Sequence, residues 1–426
     1  MNNISKRSVL SAEHFPYAAM WLTLVYFYFM NLTENYVANG LDGTIYAIVV
    51  FLCLVFYVIF NKHIPRFKIS FPWLLFLIMM VHSSQWAIES NNLYWVTMYV
   101  ALLLMVFVLP DCPSWTEKLW SKLVFMGMIH VCATIVFYFC SPWLYSSIMV
   151  PIWGKVPGGQ SLANAYKLGL SNHYSTNSIY CSAVLLVVGA KLVVNPNANP
   201  KEKRKDIICL ILALFALMLT TKRGPLLFAL LALVVTYYIC NPKNGVSKGF
   251  YVVLAVTLAL IVFYILAPFL PLFGDILSRF SESDDISNNR FLFWEKAYDL
   301  FTTSKAWGIG WGAFVRRSKT GTSAHNIYIQ LLCETGIIGL TVSLLAIIST
   351  YRTAVRDYRK NRTVMTMQQK YILGCAIAAQ TYVIAYGFTG NCLYDMTVFF
   401  YFLSCAASLT MHQVLNPKKF KKQRLV

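Results

Sequence analysis

Residues 206–240 read DIICLILALFALMLTTKRGPLLFALLALVVTYYIC, two apolar runs joined by Lys222, Arg223 and Gly224. Runs of this kind at this spacing are a membrane hairpin. Its turn is too short to project from a bilayer, so the Arg223 guanidinium lies at or below the headgroup plane. A cation at that depth is costly unless an anion or a water-lined cavity meets it. The plainer alternative is a side chain that snorkels outward and fixes the turn.

Composition extends this reading to the whole chain. Of 426 residues, 58% are hydrophobic and only 12% charged, the balance of a membrane protein. A helical span takes roughly 20 apolar residues. About twelve candidates meet that need, at 15–33, 42–60, 71–88, 93–109, 120–140, 173–194, 207–221, 225–240, 250–270, 328–350, 371–389 and 396–413. With the N-terminus in the cytoplasm, 25 of the 36 Lys and Arg residues fall in inner segments, as the positive-inside rule demands. The expectation is an all-α polytopic membrane protein with both termini cytoplasmic. It forms a single membrane domain over 1–426 with no cleavable signal peptide.

The net charge of +19 is topological and gives no reason to expect nucleic acid as a partner. The bilayer is the partner it implies, since the KKFKKQR tail suits an anionic leaflet. Most of the eleven cysteines lie inside expected spans and the longest outer loop has none, so no disulfide framework is expected.

Two outer segments are long: 141–172, and 271–327 between the ninth and tenth spans. In the latter, Phe291, Trp294, Ala297, Tyr298 and Phe301 recur at helical spacing, which predicts a short amphipathic helix on the membrane surface or across a cavity mouth. Ser287, Asn288 and Asn289 are its candidate caps. Arg290 then falls in the first turn, where a cation opposes the helix dipole unless it faces an anion. Glu282, Asp284 and Asp285 read as solvated loop charge. Gly308, Gly310 and Gly312 follow in GIGWG, a turn-rich segment that taken alone is only a loop.

His325 and Asn326 open the tenth span, with Thr322 or Ser323 available to cap it. A histidine at a helix start is disfavoured as the cation, which leaves it neutral and fit to act as a base. The bland role is capping or an interfacial position. Glu334, further into the same helix, could orient this histidine. Trp153, Trp307 and Trp311 read first as interfacial anchors, and His82 and His130 as packing residues. Arg223, Arg290, Arg316 and Arg317 on one face point to a phosphate or diphosphate, which guanidinium binds bidentately. No metal-ligand spacing and no cofactor motif is present.

In this order, LTTKRGPLL (219–227), NNRFLFWEKAYDLF (288–301), GIGWGAF (308–314) and AHNIYIQLLCETGIIGL (324–340) resemble the O-antigen ligase and polysaccharide polymerase superfamily. The similarity covers roughly 170–345, and YKLGLSNHYSTNSIY (166–180) is similar to polymerase-type members. The resemblance implies a GT-C-type glycosyltransferase of the bacterial inner membrane, working on the extracytoplasmic face without metal or nucleotide sugar. Its donor would be an undecaprenyl-diphosphate-linked oligosaccharide and its acceptor a glycan. A chain-length regulator is a partner the resemblance allows.

Carried over by motif, Arg223 and Arg290 would contact the donor diphosphate and His325 would activate the acceptor hydroxyl. Arg316 or Arg317 would supply a further functional arginine, and the role of Lys222 stays open. His173, Asn326 and Asp395 are candidates for the acceptor path. A ligase moving the finished chain to lipid A core, protein or wall is the alternative to a polymerase. A twelve-span transporter or a glycan flippase is the alternative outside the class. Both would call for charges near the membrane midplane, of which the spans carry few.

Overall fold

The structure, a computed structural model, describes residues 13–29, 41–61, 67–87, 93–140, 142–157, 160–241 and 289–417. The expected span at 250–270, the loop residues 271–288 with Ser287, Asn288 and the acids Glu282, Asp284 and Asp285, and both terminal segments lie outside these residues. Among the described residues every regular element is helical.

The long helices are α1 (His14–Phe29), α2 (Leu41–Asn61), α3 (Phe67–Ser84), α4 (Leu93–Val108), α5 (Thr116–Cys140), α6 (Trp143–Trp153), α7 (Tyr174–Val194), α8 (Pro200–Leu219) and α9 (Arg223–Cys240). After the undescribed stretch come α10 (Arg290–Thr303), the single turn α11 (Phe314–Arg317), α12 (Ile327–Asn361), α13 (Met367–Tyr386) and α14 (Thr397–Leu415). A helix stands at every expected span but the undescribed one. Six of the described helices are long and apolar enough to cross a membrane, with shorter apolar helices at Ser70–Ser84 and Val96–Asp111.

Burial sorts the helices into layers. α7, α13 and α14 are buried along almost their whole length and form the interior. α5, α8 and α9 pack around α7, while α3, α4 and α12 pack around α14 or one another. The outer helices expose apolar side chains, such as Ile48, Phe51 and Phe60 on α2 and Phe125, Val136 and Phe139 on α5. In water such a belt would drive association, whereas acyl chains cover it without cost. Polar groups inside the bundle tie helices together. The indole Nε1 of Trp73 on α3 donates to Thr350 Oγ1 on α12 at 2.8 Å. Gln380 Nε2 on α13 donates to Ser408 Oγ on α14 at 2.7 Å.

One helix is broken. Within α12, Gly336 has φ 67° and ψ −171°, a conformation that suits glycine. The break strands carbonyls of the preceding turn and N–H groups of the following one, which lipid cannot satisfy. Segment 305–310 meets them. Ile309 N donates to Cys333 O (3.0 Å), Gly310 N to Glu334 O (2.9 Å), Ile337 N to Lys305 O (2.9 Å) and Ile338 N to Ala306 O (3.3 Å). A Cβ on Gly336 would stand 2.2 Å from Ala306 O, and one on Gly308 2.3 Å from the Glu334 carbonyl carbon. The two glycines therefore allow a close backbone-to-backbone seam. That seam fixes the end of the bundle where the α8–α9 turn, the start of α12 and the end of α13 meet.

The packing differs from the sequence expectation in three places. α10 rests on the start of α12 through Phe293, Trp294, Ala297 and Leu300, while Phe291 and Tyr298 are exposed. The docking face is thus rotated from the one the aromatic spacing marked, since a helix lying on protein selects shape as well as hydrophobicity. Trp311 is core and not an anchor: it stacks on Tyr394 at 5.0 Å and meets Tyr99 at 5.2 Å edge-on. Trp153 is likewise buried, within a satellite cluster around Tyr145 and Tyr166.

Candidate active site

His325 sits in the left-handed region, at φ 54°, where a residue with a Cβ is uncommon and strained. The surroundings impose it. Asn326 next in the chain is extended and caps α12, its Oδ1 accepting from Tyr328 N at 3.0 Å and Ile329 N at 3.1 Å. Ala324 before it donates its N–H to Gln330 Oε1 at 3.1 Å and accepts from the Trp294 indole at 3.0 Å. Asn326, not Thr322 or Ser323, is therefore the cap.

The imidazole is half-buried between two polar neighbours. Thr322 Oγ1 stands 3.4 Å from Nε2 and Asn391 Nδ2 3.3 Å from Nδ1, with the Phe293 ring 6.3 Å away. Burial first, then the positive charges of Arg290 and Lys222, pull its pKa down to about 4. The ring is neutral at physiological pH, as the sequence led one to expect, but the cause is desolvation and two cations.

The α8–α9 turn brings the second of those cations. Thr221 is left-handed at φ 57°, Lys222 is the extended N-cap of α9, and Arg223 is its first residue. Arg223 is exposed, whereas Lys222 is half-buried. The Lys222 ammonium lies over the Tyr174 ring, 4.0 Å from its centre, and Tyr174 stacks on His173 at 4.5 Å. His173 caps α7, its Nδ1 accepting from Ser175 N at 3.1 Å. Burial and Lys222 hold its pKa near the same value, about 4. One lysine thus bears on both histidines. A Cβ on Gly224 would touch Thr389 Oγ1 and the Tyr386 ring, each at 3.4 Å, so the turn packs on the segment that carries Asn391.

Glu334 does not orient His325. Its buried carboxyl organises the glycine loop, accepting from Gly312 N (2.7 Å), Phe314 N (3.1 Å), Gln330 Nε2 (3.1 Å) and Tyr394 OH (2.5 Å). Gly308, Gly310 and Gly312 all have positive φ, at 73°, 110° and 75°, so GIGWG is more than a loop that happens to hold glycines. The clamp delivers α11, whose Arg316 and Arg317 are exposed. Asn289 precedes α10 at φ 63° without a side-chain cap, which leaves Arg290 as the first helical residue. Asp395 accepts from Thr397 N at 2.8 Å at the start of α14, and burial raises its carboxyl to about 6.

The charges of Arg290 and Lys222 thus both reach His325, and that of Lys222 reaches His173 as well. Arg223 shares the turn, while Arg316 and Arg317 stand on the adjoining clamp. Sequence reasoning missed Asn391. The hint was there in the glycine-flanked turn FTGNC (388–392) before the last span. Among the described residues no three His, Cys, Asp or Glu side chains gather as a metal site.

Residues 208–344 match the family model described as O-Antigen ligase, a stretch running from within α8 to the middle of α12 and containing Lys222, Arg223, Arg290 and His325. No curated protein gives a significant match to the chain.

Proposed function

We propose that this chain, whose residues 208–344 match the O-Antigen ligase family model, moves a glycan en bloc from an undecaprenyl-diphosphate donor to an acceptor hydroxyl. The site faces the extracytoplasmic side of the bacterial inner membrane. The observation that carries the reading is a neutral His325 within electrostatic reach of Arg290 and Lys222, beside the helix start that bears Arg223.

Each group has a part in an inverting displacement. The acceptor oxygen attacks the anomeric carbon of the donor's reducing-end sugar and gives its proton to His325. The bond from that carbon to the diphosphate oxygen breaks, and the electron pair leaves on the diphosphate. Arg290, Arg223 and Lys222 stabilise the charge that develops there, the role preorganised cations play in such sites. Arg316 and Arg317 extend the cationic face toward the glycan. This arrangement does without a metal or cofactor.

Donor binding also tunes the base. A diphosphate beside Arg290 and Lys222 offsets the two charges that depress the His325 pKa, so the imidazole becomes more basic once the donor is seated.

His173 with Tyr174 lines the acceptor path, Asp395 at the start of α14 serves the acceptor as well, and Asn326 holds the helix start. The 166–180 segment supports a polymerase, in which the acceptor is a second lipid-linked chain. The test is purified protein in nanodiscs with a matched undecaprenyl-diphosphate oligosaccharide as the sole sugar source and EDTA present. A ladder of longer lipid-linked products is the expected result. A single product that appears only with added lipid A core or another acceptor makes the chain a ligase. Donor crossing a liposome wall without any transfer overturns catalysis in favour of transport.

A further inference from the structure

We propose that Asn391 is the positioning residue for His325: by turning its amide oxygen to Nδ1, it selects the ring tautomer whose bare Nε2 receives the acceptor's proton. This rests on His325 acting as the base.

The geometry carries it from two sides. Asn391 Nδ2 is 3.3 Å from His325 Nδ1, and no other hydrogen bond to that nitrogen is present among the described residues. In this orientation Nδ2 donates to Nδ1, so the neutral ring keeps its proton on Nε2 and cannot take another there. The same orientation leaves Asn391 Oδ1 buried without a hydrogen-bond partner, so among the described residues nothing besides the contact to His325 fixes which amide atom faces Nδ1. Half a turn of the amide sets Oδ1 against Nδ1. The proton then resides on Nδ1 and is donated to Oδ1, and Nε2 presents its lone pair. After transfer, the imidazolium keeps its Nδ1–H bond to the amide oxygen. The amide's two faces thus correspond to a resting and a reactive tautomer.

The segment bearing Asn391 is built as a rigid mount. Ile327 N donates to Gly387 O at 2.9 Å, and Tyr394 N to Asn391 O at 2.6 Å. The Tyr99 hydroxyl donates to Leu393 O, and Tyr394 reaches Glu334 while stacking on Trp311. The Glu334 clamp therefore fixes the glycine loop and Asn391 together. An amide also orients the ring without adding charge, where the charged groups that bear on His325 are Arg290 from α10 and Lys222 from the α8–α9 turn.

The test compares Asn391→Ala and Asn391→Asp with the unaltered protein in the nanodisc transfer assay across pH, alongside membrane abundance and melting temperature. Asn391→Ala is expected to lower kcat about tenfold or more, part of the roughly 10²- to 10⁴-fold supplied by positioned acid–base groups, with the donor KM little changed. Asn391→Asp keeps an oxygen at Nδ1 and adds negative charge. It should retain more activity than Asn391→Ala and shift the acidic limb of the profile upward, because a neighbouring carboxylate favours the imidazolium.

A residue that only holds the loop would lower folded protein but leave the kcat of the protein that folds unchanged in Asn391→Ala, and that result overturns the proposal. If Asn391→Ala does not accumulate, Asn391→Leu, which keeps the volume without an oxygen at Nδ1, decides by its kcat per folded protein: a fall of about tenfold or more is expected, and an unchanged kcat overturns the proposal. His325→Ala separates the two levels of the argument. If it is inactive while both Asn391 variants keep the original kcat and limb, this inference falls and the assignment of the base stands. If His325→Ala is itself active, the assignment falls first.

Discussion

Lys222 holds its ammonium 4.0 Å from the centre of the Tyr174 ring, an arrangement that keeps a cation fixed at a partly dry site through the ring's negative face. From there its charge depresses both His173 and His325. It is the residue of the α8–α9 turn whose charge is felt at the proposed base, although the sequence motif drew attention first to Arg223.

Replacing Lys222 with Gln therefore has a signed effect on pH dependence. Removing a neighbouring cation favours the imidazolium, so the acidic limb of kcat/KM, which reports the donor-free protein, moves up from about 4 toward the ordinary histidine value of about 6.5. Donor KM rises as well, because one diphosphate-facing charge is gone. A pH–rate profile of Lys222→Gln checks both, and an unmoved limb would contradict the electrostatic coupling.

The two arginines should not respond alike. Arg290 is half-buried and bears on His325, while Arg223 is exposed at the start of α9. Lysine keeps the charge but loses bidentate geometry. Losing one charge-assisted hydrogen bond, about 1.5–3 kcal/mol, predicts roughly a 10- to 100-fold fall in kcat/KM for Arg290→Lys. Arg223→Lys should lose less. Steady-state kinetics of the pair, with donor crosslinking in parallel, measures the difference.

The glycine seam and the Glu334 clamp predict a stability phenotype. Glu334→Ala strands the buried N–H of Phe314 and the N–H of Gly312, at about 1–3 kcal/mol for each buried group. Gly336→Ala adds a Cβ 2.2 Å from Ala306 O at a positive φ and is the more damaging change. Both should lower the melting temperature in detergent, and transfer should fall with them because the Asn391 mount loosens. A Gly336→Ala protein as stable as the original would contradict the seam.

Much of this fold was legible because an apolar run long enough to span a bilayer announces itself, as the 206–240 hairpin does. Boundaries were less so. α8 begins at Pro200, capped by Asn199, ahead of the apolar run, because the basic turn Lys201–Lys205 continues the same helix into polar surroundings. α12 likewise runs to Asn361, well beyond its apolar part. Within the site, Arg290, Lys222 and His325 were marked by local motifs. Asn391 was not, because its partner lies 66 residues away and a lone loop asparagine carries no periodic signal. The role of Glu334 was hidden for a different reason: two of its donors are backbone N–H groups, which no pattern of side chains reveals.

At the other end of the bundle, Asp357 on α12 meets His412 on α14 at 2.5 Å, with Arg356 3.9 Å from the same carboxylate. This buried pair pins two helices far along from the α12 start that carries the site. Asp357→Ala should lower the melting temperature, since removing one partner of a buried hydrogen bond leaves the other unsatisfied, at about 1–3 kcal/mol. The kcat of the protein that does fold should be unchanged, a contrast with Glu334→Ala that transfer assays normalised to folded protein would expose.

The measurement closest to the central claim is transfer by purified His325→Ala in nanodiscs with the undecaprenyl-diphosphate oligosaccharide donor, alongside donor crosslinking to the same protein. The account predicts that crosslinking survives, since Arg290, Arg223 and Lys222 are intact, while product formation falls by a factor on the order of 10² or more, the share of a positioned base. Near-original product from His325→Ala would contradict the assignment of the base and, with it, the mechanism built around this site.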